Sequence, residues 1–460
     1  WEWETFPEYM DAIDALPHTL DFMAQVPHDA VRVFVMGDRA IANEAATEDD
    51  VAQMKAVVRE ALEAGAVGFS TGRTDNHRAA DGSATPASEA TIRELQGIAG
   101  ALKGLNHGVL QAVSDFNMFQ SLKAFDGEFD VLEKMAEAAD GHAMSLSLIQ
   151  RRQDTEQWRK IIKRAEAAQQ RGLDIRLQVG ARGIGVMLGL QATFHPFMGF
   201  PSYKKISHLP LPERVAAMRD PAFKAQLLTE SSDKVSGDGS PIPPLADTLL
   251  QNLDFVAMQL WRFGDDFDYE PDPKKSILAD AYARKVSPLE AIYDAMLQDD
   301  GRELLYFPIY NYIHNNLDVV REMLGHPLAL PGLSDGGAHV GTICDASMPT
   351  YMLTHWTRDR SKGRFPLEHV VKMLSHDTAK FVGLSDRGVI APGMRADVNV
   401  IDHAGLTLDR PRMVVDLPAG GQRLLQDARG YKATLVAGQV AVDGYRVTEA
   451  RPGRLVRAGS

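Results

Sequence analysis

Short apolar runs that alternate with amphipathic helices set the strongest constraint on how this chain folds. Ala66-Val67-Gly68-Phe69-Ser70, Val109 to Val113, Ala143 to Ile149, Asp174 to Val179 and Leu328 to Leu333 read as strands. Leu20 to Pro27 is strand-like, with Val31 to Met36 a second extended piece. Thr47 and Asp50 form a capping-box-like start for a helix carrying Val51, Met54, Val58 and Leu62, and Gly65 stops it. Thr85-Pro86 opens another helix, and further ones are expected from about Phe129 to Ala139, Thr155 to Gln170 and Leu367 to Val382. Six strand-then-helix units of this kind imply a parallel sheet with right-handed crossovers. The expected fold class is α/β, a (β/α)8 TIM-type barrel. Because a closed barrel needs eight units, two are expected to be missing at the front of a chain that opens at Trp1-Glu2-Trp3.

Two stretches break the alternation. Between about 186 and 326 the sequence turns Pro- and Met-rich, which is too long for a plain loop and reads as an insertion over the barrel mouth. Its aromatic segments, Phe194 to Phe197 and Tyr306 to Tyr312, are either ordinary packing or a substrate lid. From Gly388 to Asp402 the chain reads as two short strands around a Pro-Gly turn, and Thr434 to Gly444 reads as a hairpin. The expected organisation is a barrel over 1–385 and a small carboxyl-terminal β unit over 386–460, which the resemblance given below implies to be part of a β-sandwich.

Bulk composition excludes several classes. The 460 residues carry a formal charge of −13, which argues against a nucleic-acid partner or an anionic membrane surface. A single cysteine, Cys344, rules out an internal disulfide framework and fits a reducing, cytoplasmic setting. The most apolar stretch, Gly183 to Phe200, is broken by Gly185, Gly189, His195 and Pro196, so no membrane span is expected. A small-molecule substrate is the expected partner, and a homo-oligomer is compatible with the sequence.

Candidate chemistry lies where strands end. Leu333-Ser334-Asp335-Gly336-Gly337-Ala338-His339-Val340-Gly341 follows an apolar strand with a carboxylate, a glycine pair and a histidine. This is how a parallel barrel presents catalytic groups at its carboxyl-end rim. Asp335 suits a divalent metal, a general base, or both; the alternative is a helix cap beside a tight turn. His339 either points into the site or packs beneath it. On the loop after the Ala66–Ser70 strand, His77 suits acid–base work and Arg78 suits a substrate carboxylate, against the alternative of a solvated loop. His28 is similarly placed after Pro27, and Arg182 is a second candidate carboxylate partner past Val179.

The segment Gly388-Val389-Ile390-Ala391-Pro392-Gly393-Met394-Arg395-Ala396-Asp397-Val398-Asn399-Val400-Ile401-Asp402 resembles the passage from barrel into β-sandwich in the amidohydrolase superfamily. Val436-Ala437-Gly438-Gln439-Val440 resembles that sandwich's closing strands. Gly65 to Gly72 is similar to the fourth-strand motif of the N-acyl-D-amino-acid deacylases (D-aminoacylases), and Ser334-Asp335-Gly336 to their eighth-strand aspartate. The resemblance covers most of the chain and is weakest between Val186 and Tyr306. It implies a metal-dependent hydrolase of non-peptide C–N bonds, with a zinc-activated water and Asp335 as metal ligand and proton carrier. It also implies a His-x-His pair and a cysteine in the part expected to be missing, and histidines on strands five and six. This chain has Gln111 and Gln150 there, poor zinc ligands that are assigned to substrate binding instead. A hydantoinase- or dihydroorotase-like hydrolase and a catalytically altered ligand-binding relative are the alternatives. The ligand set is incomplete, so the chain from Trp1 to Ser460 is expected to hold little zinc and to lack hydrolase activity by itself.

Overall fold

Met144-Ser145-Leu146-Ser147-Leu148 and Ile175-Arg176-Leu177-Gln178-Val179 alternate strictly, and the alternation sorts the two faces of a sheet. The structure, a computed structural model, describes residues 2–118, 120–237, 239–240, 242–337 and 339–459. Strands β1 (Val26–Pro27), β2 (Gly68–Arg73), β3 (Val109–Ser114), β4 (Met144–Leu148) and β5 (Ile175–Val179) lie side by side in parallel. The strands β6 (Ile184–Leu188), β7 (Trp261–Arg262) and β8 (Leu305–Tyr310) form a separate antiparallel sheet in the order β6-β8-β7. β9 (Ala329–Pro331) returns to the parallel sheet beside β5. Among the described residues this six-stranded sheet runs from β1 to β9, and neither edge strand pairs on its outer side.

One face of the sheet is apolar. Phe69, Leu110, Leu146, Leu148, Ile175 and Leu177 are fully buried in the main core, which helices such as Glu48–Glu63 and Gln157–Gln170 complete. The other face is polar: Gln111 donates to Gln178 (3.3 Å), and Gln178 donates to Ser145 (3.3 Å). Gly68 carries no side chain because a Cβ there would lie 1.9 Å from the Val109 carbonyl oxygen of the neighbouring strand.

Several expectations are corrected. Val31 to Met36 is not extended but belongs to the helix His28–Met36, and the strand before it is confined to Val26–Pro27. Pro27, in extended conformation, ends the strand and caps the helix, and Val31, Arg32 and Met36 then fall on its buried face. Thr85-Pro86 sits in turns; the helix starts later, at Ile92, behind the cap Thr91. The last helical stretch is interrupted by a π-turn, Met373–Asp377.

The insertion has a core of its own, in which Phe197, Tyr203, Ile292, Tyr293 and Leu305 are buried. Tyr306 and Tyr312 pack into the main core instead, so these two are packing and not a lid surface. In the tail, Val398–Ile401 forms a single strand where two were expected, and the hairpin Tyr431–Val436/Gln439–Asp443 forms as read. Ala437 and Gly438 take left-handed conformations at its turn. No helix among the described residues is long and apolar enough to cross a membrane.

Candidate active site

The segment after β9 bends sharply, with the non-glycine residues Leu333 (φ 61°) and His339 (φ 51°) both in the left-handed region. Such conformations persist only where the surroundings hold them. Gly332 N–H donates to the Val179 carbonyl (3.0 Å) and Ser334 Oγ to the Asp345 carbonyl (3.0 Å). Leu424 N–H donates to the Val340 carbonyl (2.7 Å), so the carboxyl-terminal β part also braces the turn.

The main fastener is Arg182. Its guanidinium is wholly buried, donates to Ser347 Oγ (3.1 Å), the Cys344 carbonyl (2.8 Å) and Asp345 Oδ1 (3.3 Å), and lies 3.4 Å from the Tyr269 ring centroid. Arg182 is therefore wholly buried in holding the loop, with its Nε unpartnered among the described residues, and is not presented to a substrate carboxylate, which corrects its reading from the sequence. Burial, reinforced by the charge of Asp335, pushes the Asp345 carboxyl up to about 6 despite Arg182.

Held this way, the turn leaves Asp335 exposed, without a hydrogen bond or ion pair among the described residues. The loop after β2 approaches from the other side. Asp75 N–H donates to Asp115 Oδ2 (2.8 Å), Asn76 Nδ2 to Tyr310 Oη (2.9 Å), and Arg78 to Asp75 Oδ1 (3.0 Å). These bonds place His77 beside His339, with ring centroids 6.1 Å apart. Crowding by surrounding atoms and then the charge of His339 hold the His77 pKa below the ordinary histidine value, while Asp335 and Asp29 act in the opposite sense. His77, His339 and Asp335 thus share one electrostatic neighbourhood, although distant loops supply them.

The remaining candidates are elsewhere. His28 is buried, with Nδ1 3.0 Å from Thr71 Oγ1 and Nε2 3.0 Å from Glu94 Oε1. Arg32 Nε donates to the same carboxylate (2.6 Å). Burial works against the charge on Glu94, but the hydrogen bonds and charges of His28 and Arg32 outweigh it and keep its pKa low. His28 is therefore part of a closed structural knot and is not offered to a ligand. Gln111 belongs to the polar face of the sheet. Gln150 is buried at the end of β4, its N–H bonded to Asn311 Oδ1 (2.8 Å) and its Nε2 without a partner.

Sequence reading missed Asn311, a fully buried residue at φ 65° after the aromatic strand β8, and Arg151. The Arg151 guanidinium is buried against Phe116 and donates to Gln157 and the Ser114 carbonyl, and burial lowers its pKa. An asparagine directly after an extended run was the available signal for the first, since Asn tolerates a left-handed turn.

Among the described residues the donors do not make a zinc site. Among the described residues no three of His, Cys, Asp and Glu are grouped so as to hold one ion, and Gln111 and Gln150 stand where the resemblance implied histidines. Asp335 with His77 and His339 is the nearest approach to a donor set.

Comparison with known proteins matches the amidohydrolase family model over residues 1–253 and 263–442. An uncharacterized protein of Mycobacterium tuberculosis (strain ATCC 25618 / H37Rv) is 27% identical over 438 residues, covering 88% of this chain and 64% of the relative. A D-aminoacylase of Alcaligenes xylosoxydans xylosoxydans is 25% identical over 419 residues, covering 88% of this chain and 65% of its own length. The chain thus spans about two thirds of the length of these relatives. Among solved structures, a D-aminoacylase described by its binuclear metal center superposes with TM-score 0.56 at 20% identity, over 98% of this chain and 75% of that one. An N-acyl-D-glutamate deacylase from Bordetella bronchiseptica, complexed with zinc and a phosphonate inhibitor, gives TM-score 0.55 at 19% identity, over 99% and 75%. These superpositions establish a shared fold. By the extent of the family match, the chain belongs to the amidohydrolase family.

Proposed function

We propose that the intact protein hydrolyses a non-peptide C–N amide bond, removing the acyl group from an N-acyl-D-amino acid. The observation that carries this reading is the exposed, unpartnered carboxylate of Asp335 beside His77 and His339 at the rim of an amidohydrolase-family sheet. The D-aminoacylase relative supports the choice of substrate class.

In the proposed reaction, a water oxygen adds to the amide carbon while Asp335 takes one of its protons. The C–N bond then breaks, and the same proton passes from Asp335 to the departing nitrogen, leaving a carboxylic acid and an amine. His77 is held largely neutral near pH 7, so it can accept a hydrogen bond from the water or from the substrate. Arg78 is the candidate for the substrate carboxylate: its side chain is mostly buried beside Asp75 and its Nε–H has no partner. No step is assigned to a metal, because the described donors do not assemble a site for one.

A second reading has its own support. The hydrogen-bonded face of Gln111, Gln178 and Ser145, with no grouped metal donors among the described residues, suits a relative that binds a small ligand without turnover. The test is release of free amine from N-acyl-D-amino acids by the intact protein, with the L-enantiomers and a cyclic amide (hydantoin) alongside and zinc content measured on the same sample. Turnover of the D-substrates supports the deacylase, and the zinc content shows whether that turnover accompanies a bound metal. Preference for the cyclic amide supports a hydantoinase-like reaction, and saturable binding without turnover supports the second reading. Arg78→Ala should weaken use of free-carboxylate substrates by about 1.5–3 kcal/mol and leave an amidated analogue nearly unaffected. Equal losses on both would assign Arg78 to structure.

A further inference from the structure

The segment Asp265-Asp266-Phe267-Asp268-Tyr269-Glu270, whose Tyr269 ring packs against Arg182, borders a pocket of about 690 Å3. Its other walls come from the helical stretch that carries Tyr351, Thr354 and His355, and from the strand Thr407–Leu408 of the carboxyl-terminal part. Five carboxylates (Asp265, Asp266, Asp268, Glu270 and Asp359) outnumber two cations (Arg360 and Lys362) among the lining side chains. Glu270 is neutralised: Arg360 donates to both of its oxygens (2.9 Å each) and His355 Nε2 lies 2.9 Å away. Asp265, Asp266 and Asp268 are exposed and, among the described residues, none of them has a cationic partner. The pocket therefore carries a net negative charge along one side.

A second, independent feature lies at its floor. Tyr351 is 5% exposed, lines the pocket, and its hydroxyl has no hydrogen-bond partner among the described residues. A buried hydroxyl left unbonded costs stability, and Asp268 and Glu270 line the same space. The Tyr351 ring is fixed by stacking on His355, with centroids 4.5 Å apart and an interplanar angle of 13°. The rings of Phe267, Tyr269 and Tyr351 supply aromatic wall.

These features select among ligands. A bare metal ion needs its oxygens gathered at one point, and no three acidic or histidine side chains among the described residues are so gathered. The carboxylates are spread instead around a volume typical of small-molecule sites. Carboxylates combined with aromatic faces are the chemistry that holds an organic cation.

We propose that this pocket binds an organic cation, an ammonium or guanidinium group on an apolar stem, with Asp266 and Asp268 facing the charge and Tyr351 Oη accepting one of its N–H bonds. The site is separate from the Asp335 rim and does not depend on the deacylase reading.

The probe is phenethylammonium, titrated calorimetrically into the protein at low ionic strength, with phenethyl alcohol as its uncharged counterpart. Saturable one-site binding of the cation is expected, with the alcohol at least roughly ten-fold weaker. The double variant Asp266→Asn/Asp268→Asn should weaken the cation roughly ten-fold, and Tyr351→Phe by a smaller factor. Both aspartates are exposed, so the double variant should melt as the wild type does; if it fails to fold, Tyr351→Phe decides, since it removes only one unbonded oxygen. No saturation by about 10 mM, equal affinity for the alcohol, or unchanged binding in the folded variants overturns the proposal. Stoichiometric displacement of the probe by calcium ions also overturns it, in favour of a metal site.

Discussion

Four histidines separate this molecule into two kinds of region. His28 and His195 are buried and their ring contacts are accounted for: His28 lies between Thr71 and Glu94, and His195 accepts from the Phe197 N–H (3.2 Å) and packs on Tyr203. His77 and His339 are exposed at the rim, and no hydrogen bond fixes either ring among the described residues. From the sequence, His28 and His77 looked alike, each following a strand on the side where barrels place their sites. What distinguishes them is whether the surrounding residues already satisfy the imidazole. A histidine whose nitrogens are both engaged in the core contributes to folding, whereas one held near a free carboxylate is available for chemistry.

The most severe way to challenge this division is to remove the free carboxylate. Asp335→Asn keeps shape and loses the basic oxygen, so amide hydrolysis by the intact protein should fall by roughly two to four orders of magnitude with little change in melting. Activity within a few-fold of wild type would take Asp335 out of the mechanism. The matching change in the buried knot is Glu94→Ala, which strands Arg32 and His28 without their shared carboxylate. It should cost about 3–5 kcal/mol in urea denaturation, the range for breaking a buried ion pair from one side. A loss below about 1 kcal/mol, typical of surface pairs, would mean the knot is not structural.

A smaller effect should appear on acidification. Burial, and then the charge of Arg214, lowers the His195 pKa from 6.5 to about 3. The unfolded chain takes up this proton near 6.5 and the folded one only near 3, so the stabilisation is complete above the first value. It is lost as pH falls through the window, at about 1.4 kcal/mol per pH unit. Tryptic cleavage within the insertion should therefore accelerate on incubation at pH 5 relative to pH 7. In His195→Phe that acceleration should be reduced, and an unchanged acid response in this variant would contradict the assignment.

How much of this was readable beforehand follows from the physics of each element. The strands β2 to β5 were legible because each is a short apolar run bounded by glycine or polar residues. The capping box of Thr47 and Asp50 forms as its spacing required. Val31 to Met36 misled because Val31, Val33, Phe34 and Val35 favour strands locally, whereas Pro27 and burial of one face favour the helix. The insertion core was illegible because its buried residues come from several short helices and a sheet whose strands are far apart in the chain. At the site, Asp335 was visible from its turn, but its proximity to His77 is a tertiary fact. Glu94 was masked by its own neighbourhood. It stands three residues after Thr91 and resembles an ordinary capping position, yet its side chain turns inward to His28 and Arg32.

The claim beneath the whole account is that Asp335, His77 and His339, from separate loops, form one site. Titrating His77 by NMR in the wild type, in Asp335→Asn and in His339→Gln tests it without needing a substrate. The account predicts a wild-type His77 pKa below the ordinary histidine value, because crowding and the His339 charge outweigh the carboxylates. It predicts a further fall when the Asp335 charge is removed and a rise when the His339 charge is removed. A His77 pKa that is the same in all three proteins would contradict it, because the three side chains would then not share a site.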